Sequence, residues 1–318
     1  ATIPFIARYR KEMTGSLDEV AIGAIREQLT QLEALDKPRD SILKSLEEQG
    51  KLSEELKAKV LEAQNLSTLE DLYLPYRPKR RTRATMAREK GLEPLAALLM
   101  AQDPNLNTLA EGARFVTDEV ASAEDALAGA RDIMAEWVSE DGEVRARLRE
   151  LITLRGTLKA KVVSGKEEEA VQYRDYFDWE EGLASAPSHR ILAVRRGEKE
   201  GFLSVHVLPP EGEALGVLES LFIKGDGLAS EQVRTAVHDS YRRLLLPSLE
   251  TEAKQRSKER ADRDAIRGFA DNLRHLLMAA PLGTRKVIGI DPGFRTGCKV
   301  VCLDPQGKLL HNETIYPH

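Results

Sequence analysis

The chain has little cysteine, no long apolar run and no excess of basic charge. Each shortage excludes something. Only Cys298 and Cys302 occur among 318 residues. On a strand they share one face at about 13 Å apart, beyond the roughly 7 Å between Cα atoms that a disulfide spans. Two thiols without a second pair or histidines make a poor zinc site. We read them as small buried side chains in a reducing cytoplasm. No stretch approaches the ~18–20 apolar residues of a membrane span. The opening ATIPFIARYRKE turns basic before any apolar region forms, so no signal peptide is expected. Net charge is −5, which argues against a uniformly basic polyanion binder. Any nucleic-acid contact must come from a local patch. No internal repeat or low-complexity tract is evident.

What is present suits a soluble chain of more than one domain: 42% hydrophobic and 31% charged residues. The first residue is not Met, and we expect a piece of a longer protein. Helical signals dominate. Ser16-Leu17-Asp18-Glu19 has the capping-box pattern. Leu17, Val20, Ala21, Ile25, Leu29, Leu32 and Leu35 then keep helical spacing up to Pro38. A second helix is predicted from Pro38 to Gln49, and Ser53 caps a third. Three short helices with brief connections look like a helix-turn-helix unit. Pro75 and Pro78 interrupt the next stretch, and Thr82 or Thr85 starts a helix closing at Gly91. Further helices are predicted over 93–101, 122–139 and 142–154.

The pattern then changes. Leu158–Val163 and Phe202–Leu208 read as strands, with a helical stretch at 167–177 between them. Helix returns at 230–246, and 248–279 reads as one long helix. Its first half is almost all polar and is expected to bridge solvent. Its second half carries Ile266, Phe269, Ala270, Leu273, Leu276 and Leu277 and is expected to pack. Three strands follow at 287–291, 297–303 and 308–315, an antiparallel meander with an Asp304–Gly307 turn. We expect a mainly α fold: multi-helical N-terminal and central regions, a small mixed α/β element, and final β-strands.

Two constellations can carry chemistry. Residues 77–90 hold Arg77, Lys79, Arg80, Arg81, Arg83, Arg88 and Lys90 against Glu89, so 7 − 1 gives +6. With Tyr73, Tyr76 and two prolines beside it, this segment suits sequence-independent phosphate contacts. The alternative is a solvated helix start paired with acids such as Glu70 and Asp71. The smaller cluster Arg8, Arg10 and Lys11 has Glu12, Asp18 and Glu19 at hand. The second constellation is VIGIDPGFRTG at 287–297. Proline cannot continue a ladder and glycine permits positive φ, so the chain is expected to turn at Asp291-Pro292-Gly293. Asp291 at a strand end is the one weak catalytic candidate. It suits a Mg²⁺ ligand, which needs further acids, and equally a turn-capping Asp. The same letters also resemble the first phosphate loop of actin-like ATPases. Asp304 serves its own turn. His189, in Ser188-His189-Arg190, has no nucleophile pattern with it and reads as structural, Ser188 capping a helix. Tyr173, Tyr176, Phe177 and Trp179 suit packing more than base stacking. No cofactor and no metal site is expected.

The segments TIPFIARYRKEMTGSLDE, LEDLYLPYRPKRRTRATMAREKGLEPLA, YRDYFD, PSHRILA and IGIDPGFRTGCK resemble the Tex (YhgF) family of bacterial transcription accessory proteins, in order and along essentially the whole chain. That resemblance implies a cytoplasmic, non-catalytic scaffold that binds RNA or DNA, with RNA polymerase or the ribosome as partners and no membrane. It implies a helix-turn-helix-like region at 1–66, a helical region with the basic loop at 67–157, a small α/β element at 158–225, a long-helix region at 226–283, and at 284–318 the incomplete start of a YqgF-type, RNase H-like domain. Asp291 matches the first acidic position of that fold, so a metal-dependent nuclease of the RuvC type is the alternative.

Overall fold

The computed structural model describes residues 1–78, 81–293 and 297–317, without the Gln31 side chain. Side-chain caps set most helix starts. Thr2 opens α1 (Ile3–Tyr9), which leads into the single turn α2 (Lys11–Thr14). Asp18 opens α3 (Glu19–Glu48), Ser53 opens α4 (Glu54–Glu62) and Asn65 opens α5 (Leu66–Tyr73). Thr82 opens α6 (Arg83–Glu89), and α7 (Glu93–Ala101) has Pro94 in its first turn. Asn107 opens α8 (Thr108–Ala113), Ser122 opens α9 (Ala123–Glu140) and Asp141 opens α10 (Gly142–Arg155). Each of these caps accepts the N–H three residues on, satisfying a donor that the first turn leaves orphaned.

The cap of α3 is Asp18, not Ser16, whose φ of +66° places it in the preceding turn. Pro38 does not end a helix either: α3 runs through it, so the two helices expected on either side are one. Packing outweighs the lost hydrogen bond. Arg39 donates from Nε to the Val60 carbonyl (3.2 Å) and from Nη2 to the Ala63 carbonyl (2.8 Å), anchoring α3 to the end of α4. Ile42 and Leu46 follow it into the core. A helix-turn-helix spacing around Pro38 is therefore not formed.

β1 (Thr157–Val162) is the centre of a three-stranded antiparallel sheet of order β2-β1-β3, with β2 at Asp178–Gly182 and β3 at Leu203–Leu208. The sequence pattern missed β2, whose half-exposed DWEEG lacks an apolar alternation. The helix expected at 167–177 is instead a run of turns and a 3-10 segment, Val171–Tyr176. α11 (Ser188–Lys199) has Pro187 at its cap and Ser188 inside its first turn. α12 (Glu211–Phe222) and α13 (Leu228–Ser240) follow, and a π turn at Tyr241–Leu245 leads into α14 (Leu246–Leu277).

Buried apolar side chains form two clusters that share no member. One comprises Leu35, Ile42, Leu46, Val60, Ala63 and Leu69 from α3, α4 and α5. The other runs from Ala84 to Ala261 and is centred on α9, with Ile133 and Met134 fully enclosed.

The chain divides into compact units at Ala261/Asp262, within α14. In the first unit α14 is polar in sequence yet packed: Leu249, Ser257 and Ala261 are buried. Beyond the division its apolar stripe is exposed, with Ile266 at 69% and Phe269 at 70%. The expectation that the polar half only bridges solvent is thus reversed. Glu252 and Lys254 settle into ion pairs with distant residues.

The second unit holds the meander β4 (Val287–Gly293), β5 (Gly297–Leu303) and β6 (Leu309–Ile315), in that order and antiparallel. Pro292 and Gly293 stay in the ladder, opposite Cys298 and Gly297. The turn expected at 291–293 is therefore not formed at those residues. Among the described residues β4 pairs with β5 alone, and a proline without an N–H is tolerated where no partner needs it. At the next turn Asp304 Oδ1 accepts from the N–H groups of Gln306 (2.9 Å) and Lys308 (2.8 Å), and Gly307 supplies φ +82°. Cys298 and Cys302 are free thiols.

Candidate nucleic-acid interface

α6 is short and is fixed at both ends. Thr82 Oγ1 accepts from the Thr85 N–H (3.0 Å), and Thr85 Oγ1 accepts from the Thr82 N–H (2.7 Å). Ala84 and Ala87 are buried against α9, where Gly129 has no side chain to obstruct the approach. At the far end Gly91 turns the chain with φ +75°. This seating divides the basic segment into outward and inward residues.

Arg77, Arg81 and Arg83 face solvent. Arg81 lies 3.9 Å from Glu89, both well exposed, a pairing worth little in water. Arg88 turns inward. Its guanidinium donates to Glu136 Oε1 (2.7 Å) and Glu93 Oε1 (3.2 Å). Burial works against its charge, and the two carboxylates outweigh burial and raise its pKa. Thr82 Oγ1 donates to the other oxygen of Glu136 (3.1 Å). Arg88 thus ties α6 to α9. Lys79 and Arg80 lie outside the described residues.

The sequence pattern could not show the acids that face this segment. A cleft of about 810 Å³ beside α6 is lined by Arg81, Arg83 and Lys90, but also by Glu89, Glu119, Asp125 and Asp132. A second, of about 310 Å³, brings Arg77 and Arg83 together with Arg243, Asp132 and Glu136. Burial pushes the Asp132 carboxyl above its ordinary range although Arg243 and Arg83 face it. Arg243, held on the π turn, donates to Asp132 (3.1 Å). The +6 counted along the chain is therefore partly offset in space, and among the described residues Arg77, Arg81, Arg83 and Lys90 are exposed. No sequence signal placed Arg243 or Asp132 here; they come from elements distant in sequence, on α9 and the π turn.

The other candidates are dispersed. Arg8 pairs with Glu19 (3.3 Å) and Arg10 with Glu12 (3.9 Å), all exposed. Tyr176 and Trp179 pack edge to face at 5.5 Å, and the buried Tyr173 donates to Glu200 (2.7 Å). His189 is exposed on α11 and its neighbour Arg190 pairs with Glu181. Asp291 is exposed on β4 opposite Lys299. Among the described residues, no three His, Cys, Asp or Glu side chains gather into a group able to hold a metal, and no helix is long and apolar enough to cross a membrane.

Comparison with known proteins identifies three segments of the chain. Residues 1–47 match the Tex-like protein N-terminal domain, 103–269 the Tex central region and 285–318 the Tex protein YqgF-like domain. The whole chain is 42% identical over 327 residues to the transcriptional accessory protein Tex of Neisseria gonorrhoeae, of which it covers 43%. It is 44% identical over 333 residues to protein tex of Bordetella pertussis, covering 42%. It is 28% identical over 335 residues to the human S1 RNA-binding domain-containing protein 1, covering 33%. The chain thus spans less than half the length of these curated relatives, each of which aligns with all of it. The chain belongs to the Tex family.

Proposed function

We propose that this chain is a non-catalytic nucleic-acid-binding scaffold acting in transcription or in its coupling to translation. Arg77, Arg81 and Arg83 contact phosphates, Lys79 and Arg80 belong to the same segment, and Arg88 supports it from beneath. The observation that carries the reading is the outward edge of arginines on α6 and the turn before it, in a chain whose net charge is otherwise negative. The relatives' names support it: one is a transcriptional accessory protein, another an S1 RNA-binding domain protein. Such contacts do not read sequence, so they suit RNA or DNA backbone alike. RNA polymerase or the ribosome is the partner, the protein works in the cytoplasm, and β4–β6 begin an RNase H-like domain. Domain limits at 66, 157, 225 and 283 belong to the same proposal.

The test is salt-dependent binding of single-stranded and duplex RNA and DNA. Replacing Arg77, Arg81 and Arg83 together with Ala should weaken binding of all four and reduce the salt slope by roughly 2–3, about 0.7–0.9 for each lost phosphate contact. An unchanged slope overturns the assignment. Magnesium-dependent cleavage lost in Asp291→Asn would instead establish the nuclease reading.

A further inference from the structure

The two apolar clusters are joined by charge rather than by a shared core. α5 belongs to the N-terminal cluster through Leu69, and its polar face meets α10 and α14. Asp71 accepts from Arg145 Nε (2.6 Å) through one oxygen and from Arg149 Nη2 (2.9 Å) through the other. Arg149 also donates from Nε to Glu252 Oε1 on α14 (2.7 Å), and Ser67 of α5 donates to the same oxygen (3.0 Å). Asp71 and Arg145 are only 11% and 10% exposed. Beside this joint lies a cleft of about 470 Å³ whose rim carries Arg77. After Tyr73 the chain leaves α5 through Pro75 and Pro78, and the basic segment is the covalent link from one cluster to the other.

We propose that residues 35–76 form a docked module, held to the central body by the Asp71–Arg145–Arg149–Glu252 joint and able to swing away when that joint opens. A seam sealed by carboxylates and guanidiniums gains little from apolar burial. Its charges recover hydration when it opens, so the open state costs less than parting a common hydrophobic core. Opening leaves each apolar cluster intact, because no buried apolar residue belongs to both. The proposal does not depend on what the arginine edge binds.

Spin labels at Lys57, on α4, and Glu150, on α10, report the separation once Cys298 and Cys302 are replaced by Ser; both labelled positions are exposed. The parent should give one dominant distance. Asp71→Asn should add a second, longer population while helix content by circular dichroism stays at the parent level. A single unchanged distance in Asp71→Asn overturns the proposal. Should Asp71→Asn lose helix content, Glu252→Gln carries the same measurement, since it leaves both Asp71 pairs in place; a single unchanged distance there overturns it equally. Hydrogen exchange gives an independent readout. Opening should expose amides of α5 and α10 at the seam and leave α9 and α13 as slow as in the parent. Equal acceleration of α9 and α13 would show one cooperative core and overturn the module.

Discussion

The Arg88 guanidinium lies 2.7 Å from Glu136, a carboxylate only 9% exposed, so one of the basic segment's cations is a structural tie between α6 and α9. Arg88→Ala leaves that carboxylate short of a partner and should cost about 2 kcal/mol. Arg81→Ala, which loses only an exposed contact, should change stability by less than about 0.5 kcal/mol. Urea unfolding of the two variants checks this, and equal losses would contradict the division into inward and outward residues.

The ionic joint predicts an acid dependence. Burial alone would raise the Glu252 pKa, but Arg149 and Ser67 outweigh it and the folded-state value is lowered. Such a carboxylate contributes stability that is complete above its unfolded value, about 4.3, and that is lost as pH falls through the lower folded value. Melting temperatures from pH 6 to pH 3 should therefore fall less steeply in Glu252→Gln than in the parent. Parallel curves would contradict the coupling.

Helix contact at α9 depends on Gly129. A Cβ there would lie 2.4 Å from Leu92 Cδ1 and 3.4 Å from Ala87 Cβ. Leu92 is buried and cannot swing into solvent. Gly129→Ala should lose about 1–3 kcal/mol despite the better helix propensity of alanine. A thermal melt at or above the parent's would show that Leu92 repacks freely.

The two halves of α14 should respond oppositely to what their composition suggests. Leu249 is 2% exposed within the polar half, and Leu249→Ala should cost about 2–4 kcal/mol. Phe269 is 70% exposed within the apolar half, and Phe269→Ala should stay within about 0.5 kcal/mol. Denaturant midpoints separate the two cases.

Much of the fold was legible locally. Ser53, Thr82 and Ser122 announced their helices because a cap is a contact between residues three apart. The alternation in 203–208 announced β3, and Asp304 announced its turn by bonding its own neighbours. Pro38 misled because the contacts that carry α3 through it, Arg39 to Val60 and Ala63, come from 21 and 24 residues away. The basic segment was visible as charge, but not its sorting: Arg88 is turned inward by Glu136, 48 positions on.

By itself, then, the sequence determined where many of the helices and strands begin, because propensity, capping and turn chemistry act over a few residues. It also determined that 248–277 is one helix with an apolar stripe. Tertiary structure alone decided which half of that helix is covered. Amphipathicity states which face can be buried; only the arrival of Arg149 at Glu252, 103 positions away, determines that the polar half packs as well.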